Sequence, residues 1–218
     1  IDVQPAQNGK IVIPQEHIDR MLKQGIHPIA RIVAFQDGLK YWPVPDHYLQ
    51  DKINLSHEAA KMGFKEIQYD YIRFDDYNSV RHLTLQQKYD FITAFLSRAR
   101  AEMKKYDIKI AADVFGRIPL NTQDAIGQNM EIFDKVVDFI CPMAYPSHYT
   151  WSARMINDPY YTVHLTSTKA RERAKEAQIV TWIQAFTMRI AGSGLSYDRY
   201  IEKQIQACHE SGIRGYLM

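Results

Sequence analysis

The sequence predicts an α/β fold of the (β/α)-barrel type, and three observations carry that expectation. Short apolar runs of strand character alternate with helical stretches along the chain, the order that yields a parallel sheet. Polar groups (Asp2, Asp70, Asp113, Tyr145 and Gln184) fall at or near the carboxyl ends of those runs, and in a (β/α) barrel these ends form one rim. The competing arrangement, an open doubly wound sheet, is expected to carry a glycine-rich phosphate turn early in the chain, and the sequence has none.

The elements follow in order. Residues 1–3 read as the end of a strand with Asp2 near its tip, 4–10 as a loop and 11–13 as a short extended piece. Pro14 opens a helix that Gly25 ends, the usual proline–glycine asymmetry. Residues 26–35 form a strand in which Arg31 interrupts an apolar run: it is a buried ion pair, an outward-facing side chain, or a positive group inside a barrel beneath the site. A loop with Tyr41 and Trp42 precedes a helix that Asp46 caps and Gly63 follows.

The stretch GFKEIQYDYIRFDD, residues 63–76, is central. Side chains alternate along a strand, so Ile67, Tyr69 and Tyr71 share one face and Gln68 and Asp70 the other. A polar face of this kind suits an inner barrel strand opening into a pocket. Residues 75–82 read as a polar loop, and Thr84 and Gln87 as a capping box. Leu85, Tyr89, Ile92, Leu96, Ala99 and Met103 then form one apolar helix stripe.

Residues 108–114 are the next strand, with Asp113 at its end. A short helix over 128–135 leads into a strand over 136–143 and the polar aromatic cluster AYPSHY. A loop over 150–166, a charged helix over 167–178 and a strand over 179–186 follow; Trp182 and Gln184 share a face of that strand. Ser196 caps the helix that Gly212 closes, and 213–218 begins the last of seven strands.

Bulk properties narrow the function. The 218 residues suffice for a single domain, here read as one barrel cut short at both ends. A net charge of +2 argues against nucleic-acid binding through phosphate contacts. No apolar run is long enough to span a membrane. Cys141 and Cys208 read as small buried hydrophobes rather than a disulfide framework. The eight histidines are scattered without HExxH or paired-cysteine spacing, so no metal or cofactor is expected, and no G-x-S-x-G elbow appears. Fourteen tyrosines and three tryptophans fit a carbohydrate site as well as an aromatic core.

GFKEIQYDYIRF, ADVFG, DFICPMAYPSHY, WIQAF and the terminal GIRGYLM occur in that order across nearly the whole chain. Together they resemble a bacterial family called the putative glycoside-hydrolase domain, a TIM-barrel group related to glycosidases. The resemblance implies a (β/α)8 TIM barrel whose first strand precedes the one ending at Asp2, with Asp70 closing strand four and Asp113 strand five. It implies a carbohydrate substrate and an extracytoplasmic or cell-envelope setting. The chain departs from the family at Asp75, where proline is common, and at Gln4 and Pro5, where lysine and acidic residues are usual.

Glycoside hydrolysis uses two carboxyl groups, roughly 5 Å apart for retention or about 6.5–9.5 Å for inversion. Asp70 is assigned as nucleophile or base and Asp113 as its acid partner, with Asp2, Asp75, Asp76 and Glu131 as competitors. Arg73 is expected to hold Asp70 ionised. Asp2, Arg31, Tyr71, Arg73, Tyr145, His148, Trp182 and Gln184 are assigned to substrate binding, with Trp151 a further stacking candidate. A non-catalytic carbohydrate-binding barrel is the alternative, and a metal-dependent polysaccharide deacetylase a more distant one.

Overall fold

The computed structural model describes residues 1–3, 11–76 and 80–218; the expected loop over 4–10, with Gln4 and Pro5, and residues 77–79 of the loop after Asp75 lie outside the described residues. The chain divides into two compact units. The first comprises Ile1–Asp113, Ala125–Gln128 and Val136–Asp138, and the second Val114–Asp124, Asn129–Lys135 and Phe139–Met218.

In the first unit β1 (Ile29–Val33), β2 (Glu66–Asp70) and β3 (Lys109–Phe115, of which residues up to Asp113 belong here) pair in parallel and in chain order. The expected strand at the amino terminus is a parallel bridge between Asp2 and Arg31: Arg31 N donates to Ile1 O at 2.8 Å and Val3 N to Arg31 O at 3.1 Å.

The register sorts the side chains. Ala30, Ile67 and Ile110 lie in one row and Ile32, Tyr69 and Ala112 in the next, all fully buried. The alternate rows carry the polar groups: Asp2, Arg31 and Gln68 are successive partners, followed by Ala111. Period-two alternation therefore places an apolar face against the helices and a polar face opposite.

Helices α1 (Gln15–Lys23), α2 (Asp46–Met62) and α3 (Leu85–Met103) connect these strands. Pro14 sits at the N-cap of α1, one position before the expected first turn. Pro45, not Asp46, occupies the N-cap of α2; Asp46 is its first residue, where a carboxylate favours the helix dipole. Gly63 ends α2 at φ 99°, as expected of a left-handed cap. The capping box of α3 is present: Thr84 Oγ1 accepts from Gln87 N at 3.2 Å, and Gln87 Oε1 from Thr84 N at 2.8 Å. Its buried stripe is Tyr89, Ile92, Leu96, Ala99 and Met103, joined by Phe95. Phe95 meets the Tyr69 ring edge-on at 5.2 Å, and the Tyr69 hydroxyl hydrogen-bonds Ser56 of α2 at 2.7 Å. Each such large apolar side chain contributes about 1.5–3 kcal/mol on burial.

In the second unit β4 (Phe139–Met143), β5 (Gln178–Trp182) and β6 (Gly215–Leu217) are also parallel and in chain order. The unit also holds α4 (Met130–Phe133), α5 (Ala153–Asn157), α6 (Pro159–Arg173) and α7 (Tyr197–Ser211). The expected loop over 150–166 is instead α5 and the first half of α6. Two local caps account for this: Ser152 Oγ accepts from Met155 N at 3.3 Å, and Asp158 Oδ1 from Tyr161 N at 2.9 Å, with Pro159 at the first helical position. The charged helix ends at Arg173, and Gln178 already belongs to β5. Gln184 therefore lies past the strand it was expected to share with Trp182. Ser196 and Gly212 cap α7 as expected. Both cysteines are buried, and burial pushes the Cys208 thiol up to about 12. Among the described residues, no helix is long and apolar enough to cross a membrane.

Glu66, on the polar face of β2 at the end remote from Asp70, is buried, 3.4 Å from His27. Burial first, then the Asp138 carboxylate, raises its pKa to about 7. Between the unfolded value near 4.5 and 7 the native state holds a proton that the unfolded chain releases. That stabilisation is complete below 4.5 and is lost as pH rises through 7. Glu66→Gln is thus expected to leave the melting temperature almost unchanged at pH 4 and to raise it by several degrees at pH 8; thermal melts at the two pH values check it.

Candidate functional site

The polar face of the first unit builds the site from its strands. Asp70 is the last residue of β2 and only 5% exposed. Its Oδ1 accepts from Tyr71 N at 2.6 Å, and its Oδ2 accepts from Arg31 Nη2. The other terminal nitrogen of Arg31 donates to Asp2 Oδ1. One guanidinium thus spans a buried carboxylate and an exposed one. Burial pulls the Arg31 pKa down, but Asp70 and Asp2 outweigh it and the net shift is upward. The Arg31 guanidinium thus stands as a cation directly against the Asp70 carboxyl group.

Arg31, one reading of which set it beneath the site, is therefore the guanidinium on Asp70. Arg73, expected in that role, stands 3.5 Å from Asp76 and donates to Phe74 O at 3.1 Å. The reason is the parallel ladder. Arg31 is in register with Gln68 and shares the face of Asp70, whereas β2 ends at Asp70 and Tyr71 takes a left-handed conformation before Arg73 is reached. Tyr71 has φ 53°, a strained left-handed conformation for an aromatic residue. It leaves the alternation that would have aligned it with Ile67 and Tyr69, and its ring centroid lies 5.8 Å from the Arg73 guanidinium.

Asp113 lies two residues before the end of β3 and is 1% exposed. Its Oδ1 accepts from Gln68 Nε2 at 2.8 Å, and its carbonyl accepts from Gln128 Nε2 at 3.1 Å. The β2–β3 register runs to Tyr69 opposite Ala112, the residues that immediately precede Asp70 and Asp113. Gln68 belongs to this group and was legible as a polar residue on the Asp70 face. Gln128 was not, because it arrives from a distant segment.

The second unit carries a cluster of its own. Trp182 closes β5, half-buried and in register with Met143 and Leu217. Tyr145 and His148 follow β4; their rings are 5.5 Å apart, and Phe186 lies edge-on to Tyr145 at 5.3 Å. Burial, then Arg189, lowers the His148 pKa, which favours the neutral ring at pH 7. Gln184 is fully buried. Its Oε1 accepts from Ser147 N at 3.0 Å, while its Nε2 donates to Phe186 O at 3.0 Å and Met188 O at 2.8 Å. This side chain ties two loops together, so its amide is engaged by the protein where a sugar contact was expected. Arg189, at φ 56°, donates to Ser147 O at 3.1 Å. Phe186 and Arg189 were missed because nothing in their local sequence shows that their loop folds onto Tyr145 and His148.

Of the competing acids, Glu131 is salt-bridged to Arg173 at 2.6 Å, and that hydrogen bond lowers its pKa. Exposed Trp151 has its ring 5.2 Å from that of Tyr149. Among the described residues, no three of His, Cys, Asp or Glu are placed to hold a metal ion.

Active sites of parallel barrels lie at the carboxyl ends of their strands, and glycoside hydrolases use a pair of carboxyl groups. Residues 47–218 match the family described as "putative glycosyl hydrolase domain", and the chain belongs to that family. Among solved structures it is similar to the PgaB (BpsB) glycoside hydrolase domain from Bordetella bronchiseptica. That match has a TM-score of 0.66 at 14% identity and covers 91% of this chain and 72% of that one. It is also similar to the Ostrinia furnacalis Group IV chitinase, at TM-score 0.55 and 15% identity, over 77% of this chain and 49% of the chitinase. A third is the Bacillus cereus spore cortex-lytic enzyme SleL, at TM-score 0.54 and 12% identity, over 83% and 41% of the two chains. The chain thus spans less than half the length of the last two. At these identities the likeness is one of fold. No curated protein sequence matches.

Arg31→Met is expected to lower unfolding stability by on the order of 3 kcal/mol, because it leaves a buried carboxylate without its cation. Asp70→Asn in the Arg31→Met background is expected to recover part of the loss. Denaturant unfolding of both single variants and the double variant checks the coupling, and simple additivity would show the pair to be independent.

Proposed function

We propose that this chain is a glycoside hydrolase that cleaves a polysaccharide or oligosaccharide with two carboxyl groups at the carboxyl ends of its parallel strands. The supporting frame is a (β/α)8 barrel to which the six described strands belong. One observation supports the reading: Gln68, two residues before Asp70 on β2, donates to the Asp113 carboxyl of the adjacent strand at 2.8 Å. Strands are about 4.8 Å apart, a spacing close to that of retaining enzymes.

Arg31 and the Tyr71 amide both donate to Asp70, an arrangement that suits a nucleophile or a base and not an acid. Asp113 is the partner that gives its proton to the glycosidic oxygen as the bond from that oxygen to the anomeric carbon breaks. Asp70 attacks the anomeric carbon, or takes a proton from the water that does. Gln68 orients the Asp113 carboxyl through its 2.8 Å hydrogen bond. Tyr145, His148 and Trp182 supply sugar contacts. Gln184 positions the loop that bears His148.

The engagement of both Asp70 oxygens favours a second reading, a non-catalytic glycan-binding domain in which Asp70 is a structural anion. Hydrolysis separates the two. In a panel of α- and β-linked glycans that includes chitin oligosaccharides, the wild type is expected to release reducing ends from at least one. Asp70→Asn and Asp113→Asn are each expected to lower kcat by about 10²–10⁴ while keeping the fold by circular dichroism. Full activity in Asp70→Asn would remove that residue from the mechanism. Cleavage of no glycan by a folded wild type would leave the binding reading.

A further inference from the structure

The loop that follows β1 carries an aromatic surface that the proposed chemistry does not use. Because β1 and β2 are parallel, this loop leaves the sheet at the same end as Asp70. It is folded onto the segment after Asp70. Leu39 forms a parallel bridge with Phe74, Leu39 N donates to Arg73 O at 3.0 Å, and Asp75 N donates to Leu39 O at 2.9 Å. Gly38 makes this approach possible. At φ 88° it is left-handed, and a Cβ there would lie 2.8 Å from Arg73 Nη1 and 2.9 Å from Phe74 O.

Tyr41 and Trp42 stand on the loop thus anchored. Trp42 packs edge-on against Phe91, with ring centroids 5.1 Å apart, and lies 6.3 Å from fully buried Phe74. Yet Trp42 remains 38% exposed and Tyr41 49% exposed, and among the described residues of this unit they are the exposed large aromatic side chains. A tryptophan fixed by two rings and open to solvent offers apolar contact area at low entropic cost. The apolar C–H face of a pyranose fits it, since those hydrogens meet the electron-rich ring face. Phe74 is four residues beyond Asp70, so its Cα is at most about 14 Å away along extended chain. The rings therefore lie within a few sugar units of the proposed cleavage point.

We infer that Tyr41 and Trp42 form a glycan-stacking subsite that holds the polymer to one side of Asp70. This deepens the hydrolase reading and rests on it for the position of the cut, but binding can be tested without turnover. Native gels cast with glycol chitin, hydroxyethyl cellulose, xylan or dextran would be run with the wild type, Trp42→Ala, Trp42→Phe, Tyr41→Ala and Asp70→Asn. At least one polymer is expected to retard the wild type. Its apparent affinity should fall about tenfold in Trp42→Ala, fall less in Trp42→Phe, and fall in Tyr41→Ala. Tyr41, the more exposed of the two, keeps the test decisive should Trp42→Ala fail to fold. Retardation by no polymer, or equal retardation of the wild type and the folded alanine variants, would overturn the subsite. Retardation that depends on Trp42, in a protein that cleaves none of the glycans, would keep the subsite and defeat the hydrolase reading.

Discussion

A half-buried arginine between two carboxylates is the constraint on which the first unit is arranged. Arg31 meets Asp70 and Asp2 at once, and it does so from the middle of an otherwise apolar strand. Removing such a cation from water is unfavourable unless its charge is matched and its donors are used. Both conditions are met only if the amino-terminal segment, β1 and β2 lie side by side in the observed register. The ion pairs thus help fix strand alignment as well as local charge.

The same register separates two environments across the thickness of one sheet. Ile67 and Tyr69 point to the helices, where Phe95 and Ser56 receive the Tyr69 ring and its hydroxyl. Gln68 and Asp70 point the other way, toward Asp113 and Arg31. A slip of one residue would put a carboxylate among the helices and a tyrosine in the polar row. The apolar packing therefore enforces the polar geometry, and the strained turn at Tyr71 directs an amide onto Asp70 where the strand ends.

Legibility from sequence followed the range of the interactions. The capping box at Thr84, the glycine caps at Gly63 and Gly212 and the stripe along α3 were readable because each is settled within a few residues. The helical residues 153–157 and 159–166 were missed although their caps are equally local. The aromatic and polar content of that stretch outweighed Ser152 and the Asp158–Pro159 pair. Asp70 and Asp113 stood out as carboxylates at the ends of apolar runs. The partner of Asp70 was misassigned to nearby Arg73 because strand register is invisible in a single chain. Likewise, nothing near Gln184 indicates that its amide binds two loops.

By itself, then, the sequence determined the alternation of parallel strands and helices, the polar face of β2 and the family. Each of these depends on periodicity, on caps or on a continuous motif. Only the tertiary structure decided that Arg31 holds Asp70, that Gln68 reaches Asp113, and that Trp42 rests on Phe74 and Phe91. Those contacts join residues many positions apart, and their geometry is set by register and by the paths of loops, neither of which is encoded in any short run of residues.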